Sequence, residues 1–241
     1  SRSVLINGNA ILDASRRLKP KLISLASDRM EIEEENLAYG SGRVFNKTDP
    51  GTAMTVADLA RFAGEKGEPI KITGAAIMLT SDKDYGEGLP HNYYTYITQL
   101  ALVGVDTATG QVEVKRVISI PEMGKAINPA GVEGQCEGGV VMGQGYTLYE
   151  DVVVERGEFK NTGFSTYILP TALDIPEQET IIVEKPERTG PYGAKGVGEA
   201  PTVPVTPAIM NAIFDAVGIR IRELPVTPEN VLAELKKKAG N

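Results

Sequence analysis

The sequence has few of the residues from which proteins build disulfides and metal sites. Cys136 is the single cysteine and His91 the single histidine among 241 residues. One cysteine excludes an intrachain disulfide, and it excludes an iron–sulfur cluster or a thiolate zinc site supplied by this chain alone. One histidine excludes a multi-histidine metal site. Redox centres of those kinds would have to lie on another chain or another segment.

Clustered positive charge and long apolar runs are also missing. The net charge is −7, and the only basic cluster is Lys236, Lys237 and Lys238, placed to complement the C-terminal end of a helix dipole. Nucleic-acid binding needs a basic surface that displaces counterions, so we expect no nucleic-acid partner. No apolar run reaches the roughly 18 residues that span a bilayer, and no signal-peptide pattern is present. These absences predict a cytoplasmic protein without a membrane span.

The composition is that of a globular protein, with 41 % hydrophobic and 24 % charged residues. The length fits either one large domain or two subdomains. The patterns predict an α+β fold of mixed sheets covered by helices. The predicted elements are a helix-rich segment over 1–26 interrupted or kinked at Pro20, a hairpin over 29–46, a helix from Thr55 to Gly64, a strand over 68–79, two strands over 96–120, a buried glycine-rich helix over 132–149, a hairpin over 152–159, and helices capped by Thr206 and Thr227.

The segment GPYGAKGVGEAP, from Gly190 to Pro201, carries the strongest functional signal. Its glycines permit positive φ angles and close backbone approach, and its one carboxylate, Glu199, suits a general base. The segment lacks the lysine–serine or lysine–threonine ending of a triphosphate loop, and it lacks GxGxxG. Taken alone, it fits either a tight surface turn or a loop that faces a ligand.

Four blocks of sequence, taken in order, resemble those of one known protein family. They are INPAGVEGQCEGGVVMGQGYTLYED from Ile127, FSTYILPTALDIPE from Phe164, GAKGVGEAP, and the last segment PVTPAIMNAIFDAVGIRIRELPVTPENVLAEL. The opening, SRSVLINGNAI, accompanies these four blocks. Together they resemble the C-terminal half of the molybdenum-binding subunit of the xanthine dehydrogenase and aldehyde oxidase family. The resemblance covers essentially the whole chain and implies the second half of a molybdenum cofactor-binding domain.

The resemblance implies a role for six residues. Glu199 matches the catalytic glutamate, the base at a molybdenum-bound hydroxyl that attacks an aldehyde or N-heterocycle carbon. The implied cofactor-binding residues are Gln135, Gly198 and the segment Ser1, Arg2 and Ser3. Gln135 offers both a donor and an acceptor to a pterin edge, or it satisfies buried backbone instead. No protein ligand to the metal is implied, since the pterin dithiolene holds it.

Several further residues carry open alternatives or a departure from the family pattern. Lys195 either contacts an anionic cofactor group or forms a nearby ion pair. Cys136 is either a packed small hydrophobe or a thiol near the cofactor. Glu122, in Glu-Met-Gly, stands where many family members have an Asp-x-Gly step. The tyrosines after His91 either line the substrate's access or pack in a strand.

The resemblance also implies cofactors and partners. These are molybdopterin with molybdenum, in its simple or cytosine dinucleotide form, iron–sulfur clusters and FAD on partner chains, and a polypeptide carrying the first half of the molybdenum domain. Because the chain starts Ser-Arg-Ser, we expect a fragment, a processed product or a segment of a longer polypeptide. Two alternatives stay open beside the hydroxylase: a non-catalytic molybdopterin carrier or assembly protein, and a fold relative that binds another nucleotide-like ligand. The sequence does not identify the small-molecule substrate, and purines, pyridines, aldehydes and carbon monoxide all stay open.

Overall fold

The computed structural model of the protein describes residues 3–77 and 93–240, which fall into two compact units with those same ranges. The N-terminal unit contains α1 (Ser3–Met30), β1 (Leu37–Gly40), β2 (Arg43–Asn46), β3 (Ala53–Thr55) and α2 (Val56–Glu65). The C-terminal unit contains β4 (Tyr96–Val105), β5 (Val112–Glu122), α3 (Pro129–Leu148), β6 (Val154–Glu155), β7 (Glu158–Phe159), β8 (Glu177–Thr180), α4 (Val205–Val217) and α5 (Pro228–Ala239). No described helix is long and apolar enough to cross a bilayer.

The N-terminal unit packs two helices against a three-stranded antiparallel sheet in the order β1-β2-β3. Helix α2 begins at a capping box, in which the Thr55 hydroxyl accepts from the Asp58 N–H at 3.1 Å while the Asp58 carboxylate accepts from Thr55. Leu22 and Leu25 of α1 meet Val44 and Leu59 in the buried core of this unit. The predicted hairpin and the predicted Thr55 cap are therefore confirmed.

Two predictions for this unit differ from the structure. Helix α1 continues through Pro20 to Met30, although proline removes one backbone donor from a helix interior; burial of Leu22 and Leu25 beyond it holds the later turns in place. Residues 68–77 form no strand. No strand within 3–77 or 93–240 pairs with them, and Ala75 N–H instead donates to the Asp13 carboxylate on α1 at 3.0 Å. Residues 78 and 79 of the predicted strand, and His91, lie outside the described residues.

The C-terminal unit is built on a mixed sheet in the order β4-β5-β8. Strands β4 and β5 are antiparallel, with a bulge at Leu102/Val103, and the turn after Asp106 ends at Gly110 with φ 79°. Strand β8 pairs with β5 in parallel. The predicted strand pair is confirmed, whereas β8 is not predicted from the sequence because its four residues show no alternation that marks a strand.

Helices α4 and α5 cover one face of this sheet. The shared core contains buried aliphatic side chains, each of which contributes roughly 1.5–3 kcal/mol by leaving water. Its members include Val114 and Val117 of β5, Ile209 and Ile213 of α4, and Val231 of α5. Helix α4 ends at Gly218 with φ 68° and α5 is capped by Thr227, as predicted, but α4 begins at Val205 after Pro204 and not at a Thr206 cap. The predicted α+β fold of mixed sheets and helices is confirmed.

Helix α3 positions the candidate site through two glycines. A β-carbon on Gly139 would lie 2.8 Å from Pro201 Cβ, and one on Gly143 would lie 2.4 Å from Val205 Cβ. Both distances are shorter than carbon atoms tolerate, so the helix backbone can lie this close to residues 201–205 only without side chains. By contrast, a β-carbon on Gly138 meets no atom within 4 Å.

We predict that Gly143→Ala and Gly138→Ala change stability in opposite directions. Gly143→Ala should lower the free energy of unfolding by about 1–3 kcal/mol, because the added methyl overlaps a Val205 carbon fixed to its backbone. Gly138→Ala should raise it by up to about 1 kcal/mol, since alanine favours helix and the space is open. Urea unfolding of the two variants measures both values. A Gly143→Ala protein as stable as Gly138→Ala would contradict the close packing.

Candidate functional site

The backbone of the loop over 190–199 depends on glycines at its turns. Tyr192 and Gly193 both have positive φ angles, 52° and 83°. A β-carbon on Gly190 would lie 1.9 Å from the Ala194 carbonyl oxygen. Glycine is thus required at these turns, and Tyr192, at 76 % exposure, adopts the left-handed region with its ring in solvent. The glycines were expected to permit positive φ angles and close backbone approach, and Gly193 and Gly190 do so.

Strand β5 holds the first half of this loop. Lys125 N–H donates to Gly193 O at 2.7 Å, and Lys195 N–H donates to Met123 O at 3.0 Å. Gly124, with φ 68°, allows this approach, because a β-carbon there would lie 2.3 Å from Gly193 O. The Glu-Met-Gly step at the end of β5 therefore has a structural function, which is to receive the loop.

Helix α3 holds the second half. Gln135 Nε2 donates to Gly198 O at 3.3 Å, and Val197 packs against the buried cluster of Met123, Val132 and Cys136. Burial raises the pKa of the Cys136 thiol above its ordinary value, so this side chain is a neutral hydrophobe in the core. Of the two alternatives for Cys136, the structure shows packing.

Glu199 lies where the loop turns into a short 3-10 helix, Ala200–Thr202. Its carbonyl oxygen accepts from Thr202 N–H at 3.0 Å, so its backbone is fixed. Its side chain is exposed, and within residues 3–77 and 93–240 its carboxylate makes no hydrogen bond or ion pair. A carboxylate in this situation can accept a proton from a neighbouring ligand without first breaking another contact.

Gln99 is a site residue that the sequence analysis missed. Its side chain is 8 % exposed, and Nε2 donates to Ser119 Oγ at 3.0 Å and to Pro201 O at 2.9 Å. Its buried Oε1 has no partner among the described residues. The sequence does contain a signal that could have marked Gln99. By strand alternation this residue shares the inward face of β4 with Ala101 and Val103, where a polar side chain is unusual.

Lys195 forms an ion pair, one of the two alternatives that its sequence position left open. Its Nζ lies 2.5 Å from Glu122 Oε2. Nearby, Tyr93 also contacts the loop, since Gly196 N–H donates to its hydroxyl oxygen at 3.1 Å. The tyrosine segment after His91 thus reaches the loop through at least one ring.

The structure brings together three of the six residues expected at the site. Gln135 contacts Gly198, which precedes Glu199. Ser3 is exposed in the first turn of α1, in the N-terminal unit. Ser1 and Arg2 lie outside the described residues. The roles of all six remain predictions.

The side chains and backbone groups at this site suit a ligand that is held by hydrogen bonds. An amide, backbone carbonyls and N–H groups, and one free carboxylate line the loop. Within the described part of the chain, no three His, Cys, Asp or Glu side chains come together to bind a metal. The Gln135 amide can both donate and accept hydrogen bonds, so the groups along this loop fit a ligand with a polar edge.

Comparison with known proteins gives consistent results. The sequence profile of the molybdopterin cofactor-binding domain matches residues 1–176. Two curated relatives are a protein of Bacillus subtilis described as a probable subunit of xanthine dehydrogenase, 30 % identical over 99 % of this chain, and an aldehyde oxidoreductase molybdenum-binding subunit of Escherichia coli, 31 % identical over 89 %. The chain spans 31 % and 28 % of their lengths.

A solved structure agrees with these relatives. The aldehyde oxidoreductase from Desulfovibrio desulfuricans is 31 % identical, with a TM-score of 0.74 over 96 % of this chain and 22 % of that one. Fold, motif order and sequence profile therefore lead to one conclusion. The chain belongs to the family of molybdopterin cofactor-binding domains, in the group of the xanthine dehydrogenase and aldehyde oxidase molybdenum-binding subunits.

Proposed function

We propose that this chain is part of a molybdenum hydroxylase that oxidises a carbon of an aldehyde or an N-heterocycle with oxygen derived from water. The observation that supports this most is the exposed Glu199 carboxylate, free of partners among the described residues, on a loop fixed up to the preceding residue. The names of its relatives, which include xanthine dehydrogenase and aldehyde oxidoreductases, support this substrate class.

In this proposal Glu199 is the general base. One of its carboxylate oxygens accepts a proton from the water-derived oxygen nucleophile as that oxygen attacks the substrate carbon. Efficient transfer requires the two oxygens to lie about 2.6–3.2 Å apart, or to be joined by one water. The fixed backbone at residues 198–202 limits where the carboxylate can reach.

Gln135 and Gly198 hold the cofactor in this proposal, together with Ser1, Arg2 and Ser3. The Gln135 amide donates to and accepts from a pterin edge, and the glycine allows close backbone approach. When bound, molybdopterin with molybdenum supplies the centre that takes up two electrons. The proposal covers both the simple pterin and its cytosine dinucleotide form, since each would offer a pterin for these residues to hold.

The proposed reaction requires partners. A substrate C–H and a water become C–OH with release of two protons and two electrons, and those electrons need carriers. We propose iron–sulfur and FAD chains for this purpose, a polypeptide with the first half of the molybdenum domain, and assembly in the cytoplasm. The single cysteine and single histidine of this chain are consistent with carriers elsewhere.

We predict that Glu199→Gln lowers kcat by about 10²–10⁴-fold, because the amide keeps the shape of the side chain but cannot accept the proton. Molybdenum content of the assembled enzyme should stay unchanged. Glu155→Gln, an exposed glutamate on strand β6, is the matched control and should keep full activity.

Two outcomes of this experiment would contradict the proposal in different ways. Normal turnover by the Glu199→Gln enzyme would remove Glu199 as the base. Full molybdopterin occupancy without any hydroxylation in the wild-type complex, with all electron carriers present, would support the alternative of a non-catalytic carrier.

We predict that Gln135→Ala weakens retention of the cofactor by about 3- to 10-fold, the range expected for loss of one or two hydrogen bonds. Metal analysis of the purified complex after dialysis, together with pterin fluorescence after release, measures this loss. Gln111→Ala, on the exposed turn between β4 and β5, is the control. Equal molybdenum in all three proteins would show that Gln135 only satisfies backbone.

A further inference from the structure

The ion pair between Glu122 and Lys195 is unusually well enclosed. The two side chains are 14 % and 7 % exposed, and Nζ lies 2.5 Å from Oε2. In every other ion pair of the described residues, at least one side chain is exposed. Shielding from solvent makes this pair sensitive to loss of either partner, because a single buried charge would remain.

Both partners are also held by backbone groups. Lys195 Nζ donates to Tyr94 O at 2.8 Å and lies 5.7 Å from the centre of the Tyr96 ring. Glu122 Oε1 accepts from Gly124 N–H at 2.9 Å. The pair therefore joins three segments: the end of β5, the start of β4 and the glycine loop. Lys195 Nζ thus donates to two partners within the protein, and each of the two Glu122 carboxylate oxygens accepts one hydrogen bond.

The pair fixes the loop four residues before Glu199. From Lys195 onward, Gly196 N–H donates to Tyr93, Val197 enters the small core, and Gly198 O accepts from Gln135. No residue between Lys195 and Glu199 is without such a contact. A displacement at Lys195 is consequently passed to the Glu199 backbone.

We propose that Glu122 and Lys195 are positioning residues for Glu199, an inference that rests on the proposed role of Glu199 as the base. A buried ion pair adds little net stability compared with apolar residues of similar size, but it holds one geometry. Proton transfer depends on such geometry, since misplacement by about 1 Å can lower a rate by 10²-fold. The inward orientation of Lys195 argues against the other role, contact with an anionic group of the cofactor.

The test compares Glu122→Gln, Lys195→Met and the double variant in the fully assembled enzyme. Each single variant should have a lower melting temperature and a lower kcat. The double variant leaves no unpaired charge, so its melting temperature should rise most of the way back to the wild-type value. Its molybdenum content and its KM should stay within about 2-fold of wild type. Its kcat should nevertheless stay about 10- to 100-fold below wild type. The exposed pair Glu158 and Lys160, changed to Gln and Met, is the matched control.

If the ion pair only stabilised the fold, both kcat and the melting temperature of the double variant should return to near wild-type values. That result would overturn the proposal. Loss of molybdenum from Lys195→Met in proportion to lost activity would also overturn it, since Lys195 would then be a cofactor contact. An inactive Glu199→Gln enzyme beside a fully active double variant would refute only the positioning role. An active Glu199→Gln enzyme would instead remove Glu199 as the base, on which the positioning role rests.

If the double variant does not assemble, Lys195→Arg provides an independent test of the positioning role. Arginine keeps the positive charge and can still donate to the Glu122 carboxylate, although its guanidinium is larger and planar. This variant should therefore have a kcat at least about tenfold above that of Lys195→Met. Equal kcat in Lys195→Arg and Lys195→Met, with equal molybdenum content, would contradict a role for the ion pair.

Discussion

The geometry of the site depends on the close approach of helix α3 to the chain that follows Glu199. Gly139 and Gly143 lie on the same face of the helix as Gln135, at successive steps of four residues, and they touch residues 201–205 directly. Each glycine costs the helix roughly 1 kcal/mol of intrinsic stability. Burial of Val140 and Leu148 in the core offsets that cost. With larger residues on this face, the Gln135 amide could not reach Gly198.

Local signals in the sequence predicted most of the fold of the C-terminal unit. The Thr227–Pro228 start of α5, the Gly218 end of α4 and the turn at Gly110 each depend on a few adjacent residues. Predictions failed where partners distant in sequence decide the outcome. Residues 68–77 have an apolar pattern but pair with no strand of the described residues, while β8 is a strand because β5 lies beside it.

The same division applies to the candidate site. The glycine spacing and the family motif marked the loop, Gln135 and Glu199 because each signal lies within one short segment. Gln99 and the Glu122–Lys195 pair act across the fold: Gln99 bonds to Pro201, 102 residues away, and Glu122 and Lys195 are 73 residues apart. No spacing rule connects such positions, so only the sheet register and the loop path bring them together.

The distribution of contacts along this loop suits a general base. A base must keep its carboxylate free to exchange a proton, yet hold it in one place. Hydrogen bonds, the ion pair and core packing fix residues 193–198, and the turn after Glu199 fixes its carbonyl oxygen. These contacts stop at the backbone of Glu199, within the described residues. The backbone of Glu199 is therefore held in place, while its carboxylate stays free to take up a proton. Preorganised proton transfer requires this combination.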